Sequence, residues 1–182
     1  MENLEIKAFY PDLDSARVKA KNLTGEQADL LHQIDTYYHT KRGRLKLREI
    51  NGIEAQLIPY FKEYQKGETL SLYDVLPSRV PSKTKEILNL ILGEEFIIDK
   101  KRELYLYKNV RIHLDTVKNL GTFIEFEAVV NSKGEKAESS ILLEELNNYF
   151  EISGEMMIDA SYIDLFMAKQ EPADARTQSS LS

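Results

Sequence analysis

The 182-residue chain contains no cysteine, which excludes disulfides, thiolate nucleophiles and cysteine-ligated zinc. It lacks any apolar run of the ~18 residues that a membrane-spanning helix needs. The opening MENLEIKAFYPDLD has no basic segment followed by an apolar one, as an export signal would. A soluble, cytoplasmic protein that contacts no membrane is therefore expected. A basic excess is missing as well: 24 Lys and Arg stand against 30 Asp and Glu, a formal charge of -6. No general positive field exists to draw in nucleic acid, so any anion site must be built locally against the net charge.

What is present is 42% hydrophobic and 30% charged residues, enough for one globular domain with a modest core. That domain is expected over residues 1–169. Residues 170–182, ending EPADARTQSSLS, read as a disordered tail.

Short alternating stretches dominate. Leu4, Ile6 and Ala8 alternate with Glu5 and Lys7, so the chain opens on a strand with one charged face. Asp12 or Asp14 caps a helix carrying Leu13, Ala16, Ala20 and Leu23 on one side, ended by Thr24-Gly25. The segment from about Glu26 to Thr40 reads as a strand with Gln33, Asp35, Tyr37 and His39 on one face. In RLKLREI, Arg44, Lys46 and Arg48 share a face, and Asn51-Gly52 is a hairpin turn into EAQLIPYFKEY. Pro59 inside that strand implies an edge, a bulge or a position needing no amide bond. Lys66-Gly67 turns into TLSLYDVLP. A helix opens at Pro81-Ser82, buries Ile87, Leu88, Ile91 and Leu92, and ends at Gly93. EEFIIDKKRELYLYKN presents Lys100 and Arg102 on one face. A polar segment after Val130 precedes a helix from about Ser140 to Phe150. Ser161 and Asp164 form a capping box for a last helix ending near Lys169.

In VRIHLDTVKNLGTFIEFE, Arg111, His113 and Asp115 line one face of a strand, and Glu125 and Glu127 one face of the next. About eight strands with short connections and peripheral helices predict an α+β chain: an antiparallel eight-stranded closed β-barrel. Most charged sets are of one sign: Arg44, Lys46 and Arg48; Lys100 and Arg102; and Glu125 and Glu127, with Asp115 beside a basic neighbour. Like charges two residues apart repel unless opposite charge lies between them, and turning every charged face into the barrel provides that. Arg and Lys around a cavity fit a polyphosphate. Carboxylates beside them fit Mg2+ or Mn2+, hard cations that bridge to phosphate oxygens. Tyr37, Tyr38, Tyr105 and Tyr107 read as barrel packing.

With LEIK, QIDTYY, GRLKLRE, LIPY, KKRELY and VRIHLDTVKNLGTFIEFE in order, the stretch from Leu4 to about Val130 resembles the CYTH superfamily of triphosphate tunnel metalloenzymes. Its closest likeness is to the class IV adenylate cyclase-like branch. The resemblance implies an eight-stranded tunnel that binds a small-molecule triphosphate through basic side chains and holds divalent metal on glutamates. Carried over by position, the family's E-x-E-x-K signature falls on Asn3, Glu5 and Lys7, so its first glutamate is absent. Glu2 is adjacent, yet a one-residue slip points it to the opposite face unless the strand bulges. Glu5, Glu125, Glu127 and Asp115 then read as metal ligands, Asp115 also as an orienter. Lys46, Arg48, Lys62, Lys100, Arg102, Arg111 and Arg44 read as substrate-binding, with Arg44 equally placed to be a surface charge. Lys7 reads as phosphate-binding or water-activating. His113 is either a general acid-base group or a neutral spacer bonded to Asp115. Hydrolysis of a triphosphate is the expected reaction. Formation of cyclic AMP from ATP and binding without catalysis are the alternatives, and a homodimer, common for such folds, is compatible with either.

Overall fold

A computed structural model describes residues 1–65, 68–130 and 132–170. In order these form β1 (Glu2–Phe9), α1 (Leu13–Thr24), β2 (Asp29–Tyr38), β3 (Arg44–Ile50), β4 (Glu54–Gln65), β5 (Glu68–Tyr73) and β6 (Leu76–Pro77). There follow α2 (Pro81–Leu92), β7 (Glu94–Tyr107), β8 (Val110–Val117), β9 (Gly121–Val130), α3 (Lys133–Tyr149) and α4 (Tyr162–Gln170). The strands pair in the order β3-β2-β7-β8-β9-β1-β5-β4, and a further β3–β4 pairing closes the ring. Eight antiparallel strands thus make a closed barrel, and β6 adds a two-residue ninth strand beside β4. Closure leaves no unpaired edge in the ring, and eight strands enclose a bore wide enough for one small ligand.

Local chemistry sets these connections. Asn51 and Gly52 both take left-handed backbone angles, φ 52° and 68°, which is what the hairpin between β3 and β4 demands. Gly43 is required twice over: its φ is +65°, and a Cβ there would lie 2.9 Å from the Tyr60 carbonyl oxygen. Pro59 stands opposite Leu45 of β3 without a bulge. Alternation in β4 therefore continues unbroken, and Gln56, Ile58, Tyr60 and Lys62 all face the lumen.

The outer wall carries the main core. Leu4, Ile6 and Ala8 of β1, Ile112 and Leu114 of β8, and Ile124, Phe126 and Ala128 of β9 pack under α1 and α3. Phe126 meets Phe150 with ring centroids 5.2 Å apart. A second cluster lies at one end of the barrel, where Tyr162 and Ile163 of α4 pack on Tyr37, Ile98, Val117 and Phe123. The capping box forms: the Ser161 amide donates to Asp164 Oδ2 at 2.9 Å, and Arg44 pairs with the same carboxylate. No helix among the described residues is long and apolar enough to cross a membrane.

Some elements differ from the sequence reading. Helix α3 begins seven residues earlier than Ser140, because Ser132 caps it by accepting from the Glu135 amide. In α2 the helical period is right but the burial is not. Leu88 and Leu92 pack on Tyr38, Leu47 and Ala55, whereas Ile87 and Ile91 are exposed. The turn read at Lys66-Gly67 and the tail beyond Gln170 lie outside the described residues.

Phe126 is wholly buried and Leu90 of α2 is 86% exposed, so their substitutions should differ sharply. Urea denaturation of Phe126→Ala is expected to show a loss of about 3–5 kcal/mol. Leu90→Gln should stay within about 0.5 kcal/mol of the parent.

Candidate active site

The lumen holds a cavity of about 240 Å³. Its cations come from five strands: Lys7 on β1, Lys46 and Arg48 on β3, Lys62 on β4, Lys100 and Arg102 on β7, and Arg111 on β8. Three carboxylates face the same space, Glu5 on β1 and Glu125 and Glu127 on β9. Period-two alternation explains the gathering, since each of these side chains shares the inward face of its strand. Register does the rest. Glu5 lies opposite Glu127 and Lys7 opposite Glu125. Arg111 lies opposite Glu127 and His113 opposite Glu125.

Charges of one sign along a strand are neutralised by the strand beside it. Lys7 Nζ sits 2.8 Å from Glu125, and Arg111 lies 3.0 Å from Glu127. Lys62 pairs with Glu5, which raises the lysine's pKa above its ordinary value despite burial. Arg102 forks onto Asp115 at 2.7 and 2.5 Å and reaches Glu125 at 2.9 Å. Asp35 accepts both nitrogens of Arg48 at 2.7 Å and Lys46 at 2.9 Å. Bidentate, charge-assisted pairs of this kind are the strong ones. Burial by itself raises the Asp35 pKa, but Arg48 and Lys46 overcome it and hold the carboxyl well below its usual range.

Two lysines are left short of negative charge. Lys46 shares Asp35 with Arg48, and Lys100, 3.6 Å from Asp115, shares that carboxylate with Arg102. Burial and then repulsion from Arg48 push the Lys46 pKa down to about 8. Burial and then Arg102 push Lys100 down to about 7. Both shifts mean that these two lysines hold their charge poorly by themselves and would gain from an added anion. Ser71 Oγ and Arg111 Nε, also on its wall, have no hydrogen-bond partner. These are donors of the kind that phosphate oxygens accept.

The remaining predicted residues fall as follows. His113 is buried and bonds Glu125 through Nδ1 at 3.2 Å, with Nε2 3.7 Å from Glu127. Asp115 is not its partner, because the adjoining strand β9 sets Glu125 opposite it. Burial and then Arg102 lower the His113 pKa, against the opposing pull of Glu125 and Glu127. Asp115 lies behind Arg102, wholly buried, with Tyr162 donating to it at 2.8 Å; its oxygens are taken and it does not face the cavity. Arg44 is likewise off the cavity wall, bound to Asp164 and Ser161 of the α4 cap. Asn3 is fully buried, donates to Glu127, and accepts from the Tyr73 hydroxyl at 3.2 Å. β1 runs in unbroken register with β9, so there is no bulge to bring Glu2 inward in its place.

Two contributors were missed from sequence. Asp35 was placed on the correct face of its strand, yet its partners on β3 depend on register. Tyr162 comes from the last helix and enters the barrel end, its ring 4.3 Å from Lys7 Nζ and 5.2 Å from Lys100 Nζ. Distances of this order are cation–π contacts.

For a divalent metal, the donors that fit are Glu5, Glu125 and Glu127, all oxygen and all on one cavity. Each is turned onto a cation, and among the described residues no three acidic or histidine side chains stand together as a ready cluster.

The pairing scheme gives two substitutions opposite signs. Asp35→Asn removes the shared partner of two buried cations and should cost about 3–5 kcal/mol at neutral pH. Because the folded pKa of Asp35 is depressed, that stabilisation is present above about pH 4 and is lost as pH falls below it. Lys100→Met leaves Asp115 held by Arg102 and Tyr162. The folded pKa of Lys100 lies below its unfolded value of about 10.4, so its destabilising effect is full below about pH 7 and vanishes above the unfolded pKa. Thermal melts should show Lys100→Met stabilising the protein near pH 7 and hardly at all near pH 10.5.

Comparison with known proteins places this geometry. The model of the CYTH domain matches residues 1–162. The PH1012 protein from Pyrococcus horikoshii superposes with a TM-score of 0.78 at 20% identity, covering 91% of this chain and 99% of that one. A candidate adenylate cyclase from Vibrio parahaemolyticus gives 0.73 at 19% identity, over 91% and 97% of the two chains. A chain of the Schizosaccharomyces pombe Mediator head module gives 0.69 at 9% identity, over 83% and 95%. No curated protein matches in sequence. Likeness at these identities carries the fold alone. The family match spans every strand of the barrel and reaches the first residue of α4, and the chain belongs to the CYTH domain family.

Proposed function

We propose that the chain is a metal-assisted triphosphatase whose tunnel binds a linear triphosphate and transfers its terminal phosphoryl group to water. The observation that carries this reading is the pair of undercompensated lysines, Lys46 and Lys100, buried in a cavity with five other cations. A polyanion is the ligand that relieves them. Arg48 and Arg102 offer planar forks to phosphate oxygens, and Lys7, Lys46 and Lys62 act as point charges. The reaction breaks the bond between the terminal phosphorus and its bridging oxygen and forms one to the oxygen of water, releasing phosphate. Negative charge develops on the bridging oxygen as it leaves, and fixed cations around the cavity stabilise it without reorganising. Glu5, Glu125 and Glu127 would hold Mg2+ or Mn2+, which supplies further neutralisation of phosphate charge when bound. Lys7, kept by Glu125 and the Tyr162 ring, would bind phosphate or activate the incoming water.

Asn3 favours a second reading, binding without turnover. An amide here contributes no charge toward a metal, while every cation of the tunnel is retained.

Incubation with ATP, tripolyphosphate or thiamine triphosphate, with Mg2+ or Mn2+, should release phosphate without cyclic AMP. Cyclic AMP from ATP would instead identify a cyclase. Stabilisation by triphosphate without either product would establish the binder. Glu127→Ala and Lys7→Ala should each lower turnover by roughly 100-fold or more, and unchanged turnover in both would remove the tunnel mechanism. Asn3→Glu is expected to tighten metal binding, measured by titration calorimetry. Proton linkage gives an independent readout. At about pH 8 Lys46 and Lys100 are substantially neutral, so binding of a fully ionised triphosphate should take up protons, and binding heats should depend on the ionisation enthalpy of the buffer.

A further inference from the structure

We propose that Tyr162 is a positioning residue for Lys7, and that residues 156–162 together set this lysine in the tunnel, the first part holding its backbone and Tyr162 its side chain. The assignment rests on the triphosphate reading above and adds to that site a residue from outside the barrel strands. Strand β1 is paired differently along its two edges. On one edge β5 accompanies it only from Glu2 to Glu5, whereas on the other β9 follows it as far as Phe9. Lys7 thus lies where β1 has already lost β5. Residues 156–158 take the vacated place: Met157 forms an antiparallel bridge with Ala8, the Phe9 amide donates to the Met156 carbonyl oxygen at 2.9 Å, and the Ile158 amide donates to the Lys7 carbonyl oxygen at 2.8 Å.

Four residues beyond Ile158, Tyr162 presents its ring to the same lysine. Lys7 Nζ lies 4.3 Å from the ring centroid and 2.8 Å from Glu125. Glu125 does not fix the ammonium alone, because it also accepts from Arg102 at 2.9 Å and lies 3.2 Å from His113 Nδ1. The ring is itself held. It meets Phe123 edge-on with centroids 5.0 Å apart, and the α4 cap that carries it is pinned by Arg44 on Asp164. Its hydroxyl has a different role, donating to Asp115 at 2.8 Å. Without that hydroxyl Arg102 keeps two bonds to Asp115 and one to Glu125. The face of the ring, through cation–π attraction, is therefore the part that acts on Lys7. Lys7 brings its charge to a bound phosphate whether or not it also activates water, so affinity reports its placement.

Dissociation constants for tripolyphosphate with Mg2+, measured by calorimetry, test the assignment. Tyr162→Phe keeps the ring and should stay within about twofold of the parent. Tyr162→Leu removes the ring and should weaken binding about tenfold. Tyr162→Met does the same while filling more of the space, so either variant serves once its ligand-free melting curve shows it folded. In a Lys7→Met background, loss of the ring should cost only about threefold, the share of Lys100, whose Nζ lies 5.2 Å from the same ring. Equal losses with and without Lys7 would make Tyr162 a packing residue and overturn the proposal. So would parent-like affinity in Tyr162→Leu, or a Tyr162→Phe variant as weak as Tyr162→Leu, and each of these leaves the triphosphate reading in place. A parent protein that does not bind tripolyphosphate removes that reading, and the positioning role with it.

Discussion

Burial of charge is the constraint on which this barrel depends. Seven cations turned into one lumen would repel one another strongly in a medium of low effective dielectric. The fold meets this by setting acidic and basic positions on adjoining strands, Asp35 against Lys46 and Arg48, Asp115 against Arg102 and Lys100, Glu125 against Lys7 and Glu127 against Arg111, and across β5 by setting Glu5 of β1 against Lys62 of β4. A one-residue slip of any strand would turn its charged set outward and leave the partner set unpaired inside. The ionic scheme thus fixes register as firmly as the apolar outer wall does. The one-sign sets on β3, β7 and β9 are the linear trace of this alternation around the ring.

That scheme also separates structural pairs from functional ones. Asp115 is wholly buried and fully bonded by Arg102 and Tyr162. It shapes the site by holding Arg102, and it has no free oxygen for a ligand. Asp35 does the same for Arg48. Glu5, Glu125 and Glu127, by contrast, reach the cavity surface. The acidic residues therefore form two layers, one fastening the cations and one facing whatever they bind.

Legibility in the sequence followed the period of the chemistry. Strict alternation in RLKLREI and in Val110 to Glu127 carried both the strands and their inward faces, because a period of two is a local property. The barrel followed from the number of such strands. Residues whose position depends on register or on tertiary packing were not legible in this way. Asp35 is eleven positions from Lys46, and only the pairing of Tyr37 with Lys46 and Asp35 with Arg48 brings it to the cations. Tyr162 belongs to a helix beyond the barrel strands, and no pattern in ASYIDLF states which end of the barrel it covers. The same holds for α2: Ile87 and Ile91 satisfy a helical stripe, but whether a stripe is buried depends on what lies opposite. Arg44 has the alternation of a lumen residue, yet the α4 cap captures it.

Asn3 ties the charge scheme to the chemistry. A glutamate at this position would place a third carboxylate beside Glu5 and Glu127, with Arg111 and Lys62 as the nearby cations. Such a cluster calls for a divalent ion, since like charges in a buried site otherwise force one group to take up a proton. The amide removes that demand: its nitrogen donates to Glu127 and its oxygen is bonded by Tyr73, which also receives Arg111. The four side chains close into a ring through the Arg111–Glu127 pair. An amide in place of an oxygen acid therefore lowers the charge available to a cation and, through Tyr73, links Glu127 to β5.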